Sequence, residues 1–121
     1  MKILVIEDDF DIRHTIKDVL ELEGYDVLVA GDGVEGLGML EQEPDLVLSD
    51  IGMPRMDGFE LLGRIRENKK HAAVPFVFLT AQTDPIFLER AMQLGANAYL
   101  AKPFTCKQIL SMVESRLQAC G

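Results

Sequence analysis

Apolar runs of four or five residues recur along the chain, each followed by a segment of helical period, and no other feature restricts the fold as much. Runs this short, bounded by turn residues, read as strands buried on both faces, and strands that alternate with helices pair in parallel. The expected strands are Ile3 to Ile6, Val27 to Ala30, Leu46 to Ser49, Phe76 to Leu79 and a short Ala98 to Leu100. Between them Ile12, Ile16, Val19 and Leu20 form one helical stripe closed by Gly24, and Phe59, Leu62 and Ile65 form another, with Asp57 and Glu60 spaced as a capping box. A helix from Pro85 to Leu94 stops at Gly95, and the last, capped by Thr105 with Gln108 at the box position, runs to about Leu117. The second helix, about Val34 to Gln42, carries Gly36 and Gly38, each costing up to ~1 kcal/mol against alanine. The expected fold class is α/β, a doubly wound (βα)5 unit with a five-stranded parallel sheet. At 121 residues, 1–121 is expected to be a single domain.

The strands differ in what they leave at their C-terminal ends. Glu7, Asp8 and Asp9 follow the first, Asp50 the third, Thr80 the fourth and Lys102 the fifth, while the second ends in Gly31, Asp32 and Gly33 and reads as chemically bare. In a doubly wound sheet all these ends share one edge, and ligands bind where the strand order reverses. The order 2-1-3-4-5 makes the four equipped strands contiguous. Glu7, Asp8 and Asp50 then meet at about 4 to 6 Å, where each like-charged pair costs about 3 to 4 kcal/mol at an effective dielectric near 20. Such a cluster protonates or recruits a cation. Oxygen donors with open positions suit Mg2+, and Mn2+ can substitute. Lys102 adds a compact positive charge suited to phosphate and Thr80 a hydroxyl. A carboxylate so surrounded is a nucleophile toward phosphorus, giving an acyl phosphate.

Composition excludes several classes. Apolar residues at 48% and charged residues at 26% are those of a soluble globular chain, and no apolar run approaches the length of a membrane span. The first residues lack the pattern of a signal peptide, so the expected location is cytoplasmic. A net charge of -8 with no basic stripe argues against direct nucleic-acid binding. Cys106 and Cys120 form no metal or redox pattern and read as reduced thiols, and His14 and His71 read as solvent-facing helix residues.

Four segments, "ILVIEDD", "PDLVLSDIGMPRMDG", "PFVFLTA" and "GANAYLAKPF", in this order and at this spacing, give the chain a resemblance to the receiver domains of two-component response regulators over essentially its whole length. That resemblance implies a flavodoxin-like fold and Asp50 as the phospho-acceptor, with Glu7, Asp8, Asp50 and the backbone carbonyl of Gly52 holding Mg2+. It makes Thr80 the switch hydroxyl, Tyr99 the aromatic that moves with it and Lys102 the ion-pairing partner of the phosphoryl group, and it implies a cis Lys102–Pro103 bond that aims the lysine into the crevice. The phosphoryl group is expected from a histidine kinase or phosphotransfer protein, and the output is a downstream protein partner or an output domain. The chain would catalyse its own phosphorylation and dephosphorylation, with no external turnover.

Three departures matter. Glu7 stands where aspartate is commoner; Gly52 places no side chain over the phosphoryl site; Asn97 and Ala98 replace the paired aspartates of the winged-helix regulators' dimer surface. Ile86, Phe87 and Leu88 exceed what one buried stripe holds, so at least one faces outward, and Phe87 with Tyr99 is the expected partner surface. An aspartyl phosphatase of the haloacid dehalogenase type would need a second aspartate where Gly52 stands. A flavin module would need hydroxyls after the first strand, and a non-phosphorylated receiver-like binding module would usually lack Asp50 or Lys102.

Overall fold

The computed structural model describes residues 1–81 and 84–120, the side chains of 118–120 excepted. Five strands, β1 (Lys2–Ile6), β2 (Asp26–Ala30), β3 (Leu46–Asp50), β4 (Phe76–Thr80) and β5 (Ala98–Ala101), alternate with five helices, α1 (Phe10–Leu22), α2 (Gly33–Met39), α3 (Gly58–Glu67), α4 (Pro85–Gln93) and α5 (Cys106–Cys120). All neighbouring strands pair in parallel in the order β2-β1-β3-β4-β5. This is the expected flavodoxin-like arrangement.

Alternation along the strands divides the core in two. Ile3, Val5, Leu46, Leu48, Val77 and Leu79 pack with Ile16 and Leu20 of α1 and Ile109, Val113 and Leu117 of α5. Leu4, Ile6, Val47, Phe76 and Phe78 point the other way, against Leu61, Leu62 and Ile65 of α3 and Ala91 of α4. With helices on both faces, the central strands read as unbroken apolar runs.

Helix ends follow the sequence signals closely. Thr105 Oγ1 accepts from Gln108 N, and Gln108 Oε1 accepts from Thr105 N, a complete capping box. Gly95, after α4, has φ +103, a conformation that glycine adopts without steric cost. Asp57 caps α3 by accepting from Glu60 N, but the Glu60 carboxylate turns to Arg64.

Several expectations are corrected. The second helix ends at Met39 and tightens into a 3-10 turn, Leu40–Gln42. Gly36 has a packing reason: a Cβ there would lie 2.5 Å from Ile6 Cδ1, so its absence lets α2 sit directly on β1. Asp9 is a structural cap, its Oδ1 accepting from Asp11 N and Ile12 N at the start of α1. His71 lies in a turn, and only 8% of it is exposed. His14 sits on α1 as read, partly exposed, its ring tilted against that of Phe10 at 4.1 Å between centroids. Cys106 is exposed and free, as read, whereas the Cys120 side chain lies outside those described. Among the described residues, no helix is long and apolar enough to cross a membrane.

The turn after β2 is not bare either. Asp32 caps α2 through Oδ1, which accepts from Glu35 N at 2.8 Å, while its Oδ2 accepts from Arg55 of the loop after β3. These bonds, the helix amide first and the guanidinium second, hold the Asp32 carboxyl below the usual carboxylate range.

Gly36→Ala adds a methyl against buried Ile6 and is expected to lower stability by about 1–2 kcal/mol net of helix propensity. Gly38→Ala, where a Cβ meets nothing within 4 Å, is expected to stabilise by up to ~1 kcal/mol; urea unfolding of the two variants tests the contrast. Because the Asp32 pKa is lower folded than unfolded, its charge contributes stability above about pH 4 that is lost as the pH falls through the depressed value. Asp32→Asn, which keeps the cap, is expected to cost about 0.5–1 kcal/mol at pH 7. The gap from wild type should close in acid, read by thermal unfolding across pH.

Candidate functional site

β1, β3 and β5 deliver the charged groups to one edge. Asp50 is the last residue of β3, in register with Leu79 of β4, and Lys102 directly follows β5. The backbone fixes Lys102 further: its N–H donates to Thr80 O at 2.8 Å, and the Lys102–Pro103 bond is cis. Glu7 N donates to Ala30 O, holding the turn after β1 against β2.

One carboxylate oxygen each from Glu7, Asp8 and Asp50 lies within 4.8 Å of the others. Glu7 is buried at 1% exposure, Asp50 is half-buried and Asp8 faces solvent. The Lys102 ammonium donates to Glu7 Oε2 at 2.8 Å and stands 3.5 Å from Asp50 Oδ1. The longer side chain of Glu7 thus reaches the lysine directly. Ile51 N donates to Asp50 Oδ1 at 2.8 Å, fixing the carboxylate plane.

Burial pushes the Glu7 carboxyl above its ordinary range; the Lys102 hydrogen bond opposes this and the Asp50 charge adds to it. Asp50 is likewise raised by burial, against the pull of Lys102 and the Ile51 N–H. Burial disfavours the Lys102 ammonium, but its bond to Glu7 and the charges of Asp50 and Glu7 outweigh that and raise it. One cation therefore serves two carboxylates while a third lies close by. The donor set fits a small hard divalent cation: three carboxylate oxygens converge, one of them on the open side, and one lysine leaves their charge incompletely balanced.

The remaining predicted residues divide by position. Thr80, 1% exposed, ends β4 one residue beyond the partner of Asp50. Gly52 lies exposed in the loop after β3, and a Cβ built on it meets nothing within 4 Å. Tyr99 on β5, 40% exposed, and Phe87 on α4, 38% exposed, stand at the surface. Ile86 is more exposed still, while the Phe87 ring stacks on Phe59 of α3 at 6.4 Å. Asn97 is engaged internally, its Oδ1 accepting from Phe76 N and Arg66.

Sequence reasoning missed Arg55 and its pairing with Asp32. The available signal was an aspartate three residues before Glu35, the spacing of a helix cap, and a cation in a loop otherwise acidic or apolar.

The profile of the response regulator receiver domain matches residues 3–114. A probable chemotaxis protein CheY of Rhizobium etli is 38% identical over 117 residues, covering 95% of this chain and 91% of that protein. The transcriptional regulatory protein CpxR of Escherichia coli is 33% identical, with 97% of this chain spanning 49% of it. Among solved structures, chemotaxis response regulator CheY4 of Vibrio cholerae superposes with a TM-score of 0.91 at 32% identity, covering 96% of this chain and 98% of that one. With the strand order and charged edge described above, these matches place the chain in the response regulator receiver domain family.

Proposed function

We propose that this chain is a phosphorylation-operated switch that accepts a phosphoryl group on Asp50, with a divalent cation, Mg2+ or Mn2+, held by Glu7, Asp8, Asp50 and the Gly52 carbonyl. The observation that carries this reading is the convergence of three carboxylates within 4.8 Å beside an ammonium 3.5 Å from Asp50. The donor is a phosphohistidine of a histidine kinase or phosphotransfer protein. The partner-facing surface includes Phe87 and Tyr99, and the output lies in a separate protein or a further domain, with residues 1–121 acting as one receiver unit. The location is cytoplasmic.

Ile51 N–H holds Asp50 Oδ1, which leaves Oδ2 to form the bond to phosphorus. As that bond forms, the donor's P–N bond breaks and its electron pair stays on an imidazole nitrogen whose ring is protonated at the other position. Burial makes Asp50 a more basic, less solvated nucleophile than an exposed aspartate. Bound metal would supply positive charge against the phosphoryl oxygens. The new group adds nearly two negative charges and three acceptor oxygens. It draws Lys102 from its bond to Glu7 and attracts the Thr80 hydroxyl. Movement of Thr80 makes room for Tyr99 and shifts a two-state surface. Water attack on the acyl phosphate restores Asp50 and releases inorganic phosphate, so the chain turns over only its own modification.

Incubation with acetyl phosphate and Mg2+ is expected to give a single phosphoryl adduct by intact mass on the wild type and none on Asp50→Asn. An equal adduct on both, or none on either, refutes the assignment. Gly52→Asn places a side chain over an open site and is expected to change the adduct's half-life about threefold or more, a barrier change of about 0.7 kcal/mol. Loss of adduct after removal of acetyl phosphate reads it, and an unchanged half-life would show that position 52 does not control water access.

A further inference from the structure

The loop between β3 and α3 turns sharply at Arg55, whose φ is +66, the left-handed region that a non-glycine side chain disfavours. Met56 N donates to Pro54 O at 2.7 Å, closing a three-residue turn centred on Arg55 in the rarer, strained hand. Such a turn persists where its surroundings hold it. Here buried Met53 and Met56 hold it from below and the guanidinium from the solvent side: Nε donates to Asp32 Oδ2 at 3.1 Å, and Nη2 donates to the same oxygen. Asp32 is itself fixed, with its side chain 12% exposed and its other oxygen committed to Glu35 N.

Two close approaches make the loop a fitted piece. A Cβ on Gly33 would lie 2.6 Å from Met56 O, so the loop rests flush on the start of α2. At its far end Gly58 N donates to Ile51 O at 2.7 Å, and a Cβ on Gly58 would lie 2.5 Å from Asp50 O. Gly52 lies between Asp50 and the Arg55 anchor, with nothing packed where its side chain would be. Its neighbours Ile51 and Met53 are buried in the core, and the Arg55 anchor closes the loop beyond them.

We propose that Arg55 is a positioning residue for the cation site: through its pair with Asp32 it holds the strained loop that presents Gly52, so that breaking the pair weakens divalent-cation binding although Glu7, Asp8 and Asp50 are untouched. This rests on the metal reading given above. Glycine at position 55 relieves the backbone strain and still removes the pair, whereas serine at position 32 keeps a helix cap and removes the carboxylate.

The test titrates Mn2+ against wild type, Arg55→Gly, Arg55→Ala, Asp32→Ser and the Arg55→Ala/Asp32→Ser double variant. The free ion is followed by its electron paramagnetic resonance signal, and thermal unfolding without metal confirms that each protein is folded at the assay temperature. The expected result is about tenfold weaker binding in each single variant, the lower end of what loss of an outer support costs a metal site. The double variant should be no weaker than either single, as required of two residues acting through one contact. Binding by Arg55→Gly or Arg55→Ala within twofold of wild type, or additive losses in the double variant, overturns the proposal while leaving the cation site standing. A wild type that binds no Mn2+ overturns the metal reading and this proposal with it.

Discussion

Helices cover both faces of β1, β3 and β4, and the apolar side chains of these strands are fully buried. A polar group carried by such a strand has few exits. Along the strand it would be stranded without water; at the C-terminal end it emerges where the loops open. The parallel pairing then brings the ends of successive strands to one edge. The same constraint that builds the core thus concentrates Glu7, Asp50, Thr80 and Lys102, and Ser49, fully buried one residue before the edge, shows the cost avoided: its hydroxyl donates back to Asp50 O.

Concentration creates an electrostatic problem, and the way it is met defines the site. Burial disfavours the charge on Glu7, and Lys102 offsets part of that cost by a direct 2.8 Å bond. The lysine is then engaged more closely with Glu7 than with Asp50, at 3.5 Å. A charge arriving on Asp50 does not meet an idle cation; it must compete for one already paired. The same arrangement ties Lys102 to Thr80, since the lysine's own N–H donates to the Thr80 carbonyl.

Strands, helix stripes and the charged edge were legible because each rests on local pattern: period two or 3.6, a glycine after a helix, an acid after an apolar run. Boundaries at Asp50 and Thr80 were set one residue short, because ladder pairing with Leu79 and Ala101 carries these polar residues into the strands and no local pattern reports it. Long-range pairs were the least legible. Asp32 looked like a turn residue because its meaning depends on Arg55, 23 positions away, and Asn97 looked like a surface departure although it accepts from Phe76 N. Gly36 looked like a weakness in a helix, and only the closeness of Ile6 explains it.

α4 is held differently from the other helices. Ala91 is its only buried residue. Beyond Ala91, two of its side chains meet one ring of α3: Phe87 stacks on Phe59, and the Arg90 guanidinium stands 4.5 Å above the same ring. Phe59 in turn meets Phe78 edge-on at 5.5 Å, and Phe78 pairs in register with Tyr99. A side chain that is both exposed and part of an internal stack serves two masters. A partner that takes hold of Phe87 competes with Phe59 for it, and a change in β4 that moves Phe78 alters the surface Phe87 rests on. A route from β4 to the face of α4 thus runs through buried Phe78 and Phe59 to the half-exposed ring of Phe87.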